Sequence, residues 1–116
     1  MHAWTRRVVS WWTEGGFDLL LTPTLAEPPP VLGDVGRQDD GGFNAAARSI
    51  PFAAYAAAFN VTGQPAMSVP LYWSDAGLPI GVQLVGAPFR EDLLIRVAAQ
   101  LEQARPWAQR RPPVHA

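Results

Sequence analysis

Proline and glycine divide this chain into short segments, and that division limits the secondary structure it can form. In NVTGQPAMSVP (residues 60–70), a glycine and a proline precede a short apolar run and a second proline follows it. Because proline cannot donate a backbone hydrogen bond and glycine favours turns, such a run is typical of a short strand. We predict a strand over Met67–Leu71, whose odd-numbered residues share one face while Ser68 lies on the other.

The remaining periodicity predicts two more strands and three helices. The apolar run in FDLLLTPT predicts a strand over Phe17–Leu21 that is buried on both faces. Alternation in PIGVQLVG predicts a strand over Ile80–Val85, which would pair with the preceding strand as an antiparallel hairpin. The fold class is therefore α/β, a small mixed sheet flanked by helices. The predicted helices are Ala3–Glu14, Phe43–Phe59 with a break or kink at Pro51, and Phe89–Ala104.

The length of residues 1–116 allows at most one domain, and the composition is that of a globular protein. The chain is 48% hydrophobic and 16% charged with a formal net charge of −1, which gives no electrostatic reason to expect a nucleic acid or an anionic membrane as partner. Residues 108–116 are predicted to be a solvated tail. The irregular connection Leu25–Gly42 is either a pocket rim or a simple exposed crossover.

The chain is poor in groups that could activate a nucleophile. All nine basic residues are arginine and there is no cysteine, so a lysine base, a thiolate nucleophile and a thiolate metal site are excluded. The two histidines, His2 and His115, lie near the chain ends, where they are poorly placed for a Ser-His-Asp triad. We therefore expect no catalytic residue, no metal site and no cofactor within this chain.

The first predicted helix allows two interpretations. Trp4, Trp11 and Trp12 lie on one face at helical spacing, and arginines flank that face. Tryptophan and arginine occur in helices that lie on membrane surfaces, but a helix packed on a protein core has the same apolar stripe. We favour the protein core, because the polar face is short and barely basic. No apolar run is long enough to cross a bilayer.

Four segments in succession resemble one enzyme family. FDLLLTPT, FNVTGQPAMSVP, GLPIGVQLVGAPFRED and the closing helix before Arg105-Pro106-Trp107 are similar to the C-terminal part of the amidase signature enzymes. The resemblance covers residues 17–107. It implies that the chain is a C-terminal portion of the larger amidase signature fold, and that the complete enzyme hydrolyses carboxamide C–N bonds.

The resemblance also implies where the chemistry lies. Amidase signature enzymes use a Ser–Ser–Lys relay and a Gly/Ser-rich loop, both of which belong to an earlier part of such enzymes and neither of which matches these residues. Ser68 is thus expected to be a structural residue, its hydroxyl bonded to backbone or facing a packed helix. The stretch before the Asn–x–Thr–Gly motif resembles a substrate wall, and its apolar character implies an apolar amide. The pocket candidates are Phe52, Tyr55, Asn60, Thr62 and Gln83.

Two functions remain open at this point. In the first, this is the C-terminal segment of a cytoplasmic amidase, inactive alone, whose partners are a missing N-terminal part and a small amide substrate. In the second, the chain is a non-catalytic interaction module that binds through an exposed apolar face. The formation of a homo-oligomer is also left open. Gln83 could either orient a group in the pocket or satisfy the backbone, and we favour the backbone.

Overall fold

The computed structural model describes residues 2–35 and 41–112. Residues 36–40 of the predicted pocket-rim connection lie outside the described residues, as do residues 113–116 of the predicted tail, including His115. The elements in chain order are α1 (His2–Gly15), β1 (Leu19–Pro23), α2 (Gly41–Ala53), α3 (Ala57–Thr62), β2 (Ala66–Trp73), β3 (Pro79–Gly86) and α4 (Glu91–Ala104). The predicted arrangement of a small sheet with flanking helices is confirmed.

β3 is the central strand of the described sheet. It pairs antiparallel with β1 on one side and with β2 on the other, so Val82 lies opposite both Pro23 and Val69. The predicted hairpin between β2 and β3 is therefore confirmed. Its turn is closed by the backbone N–H of Ser74, which donates to the carbonyl of Leu78 at 2.9 Å.

β2 continues through a proline to Trp73, two residues beyond the predicted end. An outer strand has a hydrogen-bonded neighbour on one side only, so it accommodates a residue without a backbone N–H more easily than a central strand does. The register also shifts between Pro70 and Tyr72, which marks a bulge directly after the proline. Pro70 therefore lies within β2, directly before a bulge, and does not end the strand.

The core lies between one face of the sheet and α4. Val69, Leu84 and Leu94 are each at most 3% exposed and form its centre. Burying side chains of this size stabilises a fold by about 1.5–3 kcal/mol each. One side of α4 faces this centre, and the partly buried side chains packed against it are Leu19, Met67, Leu71, Val82, Val97, Ala98, Leu101 and Trp107.

The prediction that the first strand is buried on both faces is wrong. Leu21 in β1 is 62% exposed. α4 packs against β2 and β3, so the outer strand β1 is only partly covered. The apolar run showed that this segment is a strand, but it could not show which strands the helix would cover.

The alanine-rich segment forms two helices, and the break lies after Ala53 and not at Pro51, where a break or kink was predicted. α2 continues through Pro51 to Ala53, and α3 begins at Ala57. The carbonyl of Pro51 accepts a hydrogen bond of 3.0 Å from the backbone N–H of Ala26, in the connection after β1. The last turn of α2 is thereby joined to that connection. α3 ends at Gly63, whose φ of 72° is readily adopted by glycine.

α1 packs against α3, in agreement with a helix on a protein core. Trp12 is 5% exposed, whereas Trp11 remains partly open and stacks on Phe17 with ring centroids 4.3 Å apart. In the described part of the chain, no helix is both long and apolar enough to cross a membrane.

The described residues leave more large apolar side chains exposed than they bury. Five hydrophobic residues are buried, against fourteen large hydrophobic residues in the exposed class. Such a surface usually indicates a contact with another protein or with the rest of a larger domain. This agrees with the expected uncovered apolar face.

The packing of α4 yields a direct stability prediction. Leu94→Ala should lower the free energy of unfolding by about 2–4 kcal/mol, because it opens a cavity at the centre of the core. Ile95→Ala is the matched control in the same helix: Ile95 is 62% exposed, and its truncation should change the free energy by no more than about 0.5 kcal/mol. Urea unfolding followed by circular dichroism measures both, and equal losses would contradict the described core.

Candidate functional site

The second face of the sheet, opposite α4, carries the polar side chains that the core face lacks. Thr22 lies opposite Gln83 on β3, and Gln83 lies opposite Ser68 on β2. Paired residues point to the same face of an antiparallel sheet. Threonine, glutamine and serine therefore form a row across all three described strands, and Thr24 continues the polar face one step beyond β1.

Two hydroxyl groups meet over a glycine on this face. Thr24 Oγ1 and Ser68 Oγ are 2.6 Å apart, and the backbone N–H of Thr24 donates to the carbonyl of Gly81 at 3.1 Å. A Cβ at position 81 would lie 2.5 Å from Ser68 Oγ, so only glycine leaves room for the pair. The partner of Ser68 is thus a threonine hydroxyl, where sequence reasoning expected backbone or a packed helix.

Gln83 joins the sheet to the connection between α2 and α3. Its Nε2 donates to Thr22 Oγ1 at 3.0 Å and to the backbone carbonyl of Tyr55 at 3.1 Å, while the residue is only 6% exposed. Both amide hydrogens are therefore used within the protein. The structure brings Gln83 and Tyr55 together through the Tyr55 backbone, and the Tyr55 side chain stays 37% exposed.

Phe52 lies beside a charged cluster that joins Arg48 of α2 to the connection after β1. The guanidinium carbon of Arg48 is 5.2 Å from the centroid of the Phe52 ring, within the range of a cation–π contact. Arg48 also forms ion pairs with Glu27 at 2.6 Å and with Asp34 at 3.2 Å. The hydrogen bond that Arg48 donates to Glu27 is the largest cause that raises the pKa of Arg48 above its ordinary value. This cluster ties the connection after β1 to α2.

Asn60 and Thr62 belong to a different part of the structure from Tyr55 and Gln83. Asn60 is exposed on α3. The Thr62 hydroxyl donates to Gln64 Oε1 at 3.1 Å, and Gln64 Nε2 donates to the carbonyl of Gly86 at 3.0 Å. Sequence reasoning missed Gln64, which is 6% exposed. Its position between Gly63 and a proline, directly before a strand, was the available signal.

The hydrogen bonds of the described serine hydroxyls involve backbone groups and one threonine hydroxyl. The Ser68 hydroxyl contacts another neutral hydroxyl, which is a poor proton acceptor. The described residues likewise include no cluster of three histidine, cysteine or acidic side chains suited to a metal ion. The described residues give this face of the sheet hydroxyl and amide groups, none of which is a general base.

Known proteins share both the sequence and the shape of this chain. The Amidase family model matches residues 1–95, which adds α1 to the range that the motifs covered. The 6-aminohexanoate-cyclic-dimer hydrolases of Paenarthrobacter ureafaciens and of Pseudomonas sp. strain NK87 are each 47% identical over 111 residues. Those alignments cover 91% of this chain and 22% of each relative. The chain thus spans about a fifth of the length of the curated relatives it matches.

Comparison with solved structures also matches this chain to part of larger proteins. The structure of 6-aminohexanoate cyclic dimer hydrolase superposes with a TM-score of 0.84 and 42% identity, over 94% of this chain and 23% of that protein. The A subunit of glutamyl-tRNA(Gln) amidotransferase from Thermotoga maritima superposes with a TM-score of 0.68 and 26% identity. That match covers 89% of this chain and 21% of the subunit.

The glycine under the hydroxyl pair provides a test of the site geometry. Gly81→Ala should lower the free energy of unfolding by about 1–3 kcal/mol, because the new methyl group would overlap both hydroxyl oxygens. Gly86→Ala in the same strand is the matched control, since a Cβ there meets its nearest atom at an ordinary 3.5 Å. Denaturant unfolding of both variants is the measurement. Equal stabilities would show that the hydroxyl pair does not lie over Gly81.

Proposed function

Because this chain belongs to the amidase signature family, we propose that it supplies the C-terminal part of an enzyme that hydrolyses a carboxamide C–N bond. The products are a carboxylate and either ammonia or an amine. The observation that carries the proposal is the agreement of sequence and structure with the cyclic-dimer hydrolases over nearly the whole chain.

The nucleophile and its base come from a part of the enzyme outside these residues. Opening an amide requires a nucleophile that loses a proton, and a donor that gives a proton to the leaving nitrogen. This chain has no lysine, and the hydrogen bonds of its described serine side chains involve backbone groups or the Thr24 hydroxyl. Its contribution is to bind and orient the substrate beside a Ser–Ser–Lys relay held elsewhere. We expect the 116 residues alone to be inactive.

The substrate class follows from the wall before the Asn–x–Thr–Gly motif. The relatives at 47% identity are named for hydrolysis of a cyclic dimer of 6-aminohexanoate, a molecule whose two amides are joined by aliphatic chains. In this chain the wall contains Phe52 and Tyr55 among alanines, with no acidic side chain. Such a wall suits an aliphatic amide better than a polar amino-acid amide.

The five pocket candidates have different parts in this proposal. Phe52 and the Tyr55 ring provide the apolar wall. Gln83 positions that wall, since it holds the Tyr55 carbonyl while remaining buried itself. Asn60 is exposed and available to a polar group of the substrate. Thr62 supports the turn into β2 through Gln64.

The rest of the enzyme would cover the apolar surface of this segment. Trp12 Nε1 is buried and has no acceptor among the described residues, which costs about 1–3 kcal/mol until one is supplied. A carbonyl from the N-terminal part would supply it, and the same part would cover the stacked Trp11 and Phe17.

We place the enzyme in the cytoplasm without a cofactor, a nucleic acid or a membrane as partner. Assembly into a homo-oligomer is compatible with this surface.

A second candidate function uses the same surface. The Trp11–Phe17 stack is partly exposed, as expected of an interaction module that binds another protein. Such a module would melt sharply as a monomer and would give no activity in any larger enzyme. A severed amidase segment would instead gain solubility and thermal stability when it is co-expressed with its N-terminal part.

A chimeric enzyme tests the amidase proposal. In the hydrolase of Paenarthrobacter ureafaciens, the segment aligned with this chain would be replaced by these 116 residues. We expect the chimera to open the cyclic dimer, measured as primary amine released, because the catalytic relay is retained and the replaced part has the same fold. The parent enzyme with this segment deleted and the 116 residues alone should both be inactive. A soluble, monodisperse chimera without turnover would contradict the proposal, as would turnover by the chain alone.

The wall residue Tyr55 can be tested in the same chimera. Tyr55→Ala should raise KM about tenfold or more while kcat changes little, because the lost apolar contact is made equally in the ground state and the transition state. Tyr55→Phe should retain the KM of the chimera, since it keeps the ring. Steady-state kinetics measure both, and an equal effect of the two variants would show that the hydroxyl group, not the ring, matters.

A further inference from the structure

A small cavity lies between the connection after β1 and the start of β3. Its volume is about 230 Å³. Apart from Glu27, every side chain at its wall is apolar. The lining residues are Pro23, Leu25, Ala26, Glu27, Pro28, Pro29, Pro79, Ile80 and Gly81.

Two backbone hydrogen bonds and one ion pair hold the wall of this cavity in place. The backbone N–H of Thr24 donates to Gly81, and that of Ala26 donates to Pro51 in α2. Glu27 is tied to Arg48 by a 2.6 Å ion pair. Prolines in the wall restrict the backbone further. The cavity is thus largely preformed, which lowers the entropic cost of binding a ligand.

The charge at the rim selects the kind of ligand. Glu27 and Asp34 share the single guanidinium of Arg48, so this cluster carries a net charge of −1. The proline nitrogens of the wall offer no N–H groups to a carboxylate. An ammonium group is therefore favoured at the rim over a carboxylate, while an alkyl chain is favoured inside.

We propose that this cavity binds a primary alkylamine, with its ammonium beside Glu27 and its alkyl chain against Ile80 and the proline wall. At about 30 Å³ for each water-sized group, the cavity has room for about eight such groups, enough for a hexyl chain with its nitrogen. The ligand class rests on the proposed function, because an amine is one product of amide hydrolysis. The cavity would hold the amine side of the substrate or product, and not the carboxylate side.

Ligand binding to the 116-residue chain tests this directly. n-Hexylamine and hexanoate would be titrated separately into isotopically labelled protein and followed by the backbone amide shifts of Ala26 and Gly81. We expect hexylamine to bind with a dissociation constant on the order of 1 mM, and hexanoate to bind at least about fivefold more weakly. Equal affinities, or shifts confined to other residues, would overturn the proposal.

Two variants separate the rim charge from the stability of the loop. Glu27→Gln and Asp34→Asn each remove one carboxylate from Arg48, but only Glu27 lines the cavity. Glu27→Gln should abolish the preference for the amine, whereas Asp34→Asn should retain most of it. If both variants lose the preference equally, the Glu27 carboxylate has no direct contact with the ligand.

The same ligands would be tested as inhibitors of the chimeric hydrolase, so that the result does not depend on the chain folding alone. Hexylamine should inhibit more strongly than hexanoate, and Ile80→Phe should weaken that inhibition because it fills the cavity. An active chimera that hexylamine does not inhibit would contradict amine binding in the cavity and leave the amidase proposal intact. If the chain binds the amine but the soluble chimera is inactive, the amine site is supported and the amidase proposal is contradicted.

Discussion

The pairing of β3 with both of its neighbours is the interaction on which the rest of the described structure depends. Its core face carries Leu84 under α4, so the hydrophobic core forms only when β3 is in place. Its other face carries Gly81 under the Thr24–Ser68 hydroxyl pair and Gln83 in contact with both β1 and Tyr55. One strand thereby sets the position of the core, the polar row and the wall that precedes β2.

The second constraint is chemical. Opening an amide requires a group that accepts a proton near neutral pH, and a chain whose basic residues are all arginine lacks one at the sheet. What the described residues offer is shape: an apolar wall, a buried amide that positions it, and a preformed cavity with one carboxylate at its rim. A division between a catalytic part and a supporting part accounts for both the missing base and the large uncovered apolar surface.

Much of the fold could be predicted from local sequence patterns. Alternation in β2 and β3 and the stripe of α4 identified these elements, because periods of two and of 3.6 residues reflect burial on one face. Two features could not be predicted from the sequence. The exposure of Leu21 depends on which strands α4 covers, and the end of α2 at Ala53 coincides with a contact between Pro51 and a distant backbone N–H. Both are decided by residues far away in the chain.

The same distinction applies to the site. The sequence by itself determined that this chain has no lysine and no cysteine and that it resembles the C-terminal part of an amidase, because residue types and motif order are properties of the chain alone. Only the tertiary structure decided what each side chain contacts. Ser68 meets Thr24, Gln83 reaches Tyr55, and Arg48 joins Glu27 to Asp34 across separations of fourteen or more residues. Hydrogen bonds and ion pairs act over a few ångströms in space, and folding alone sets which distant residues come that close.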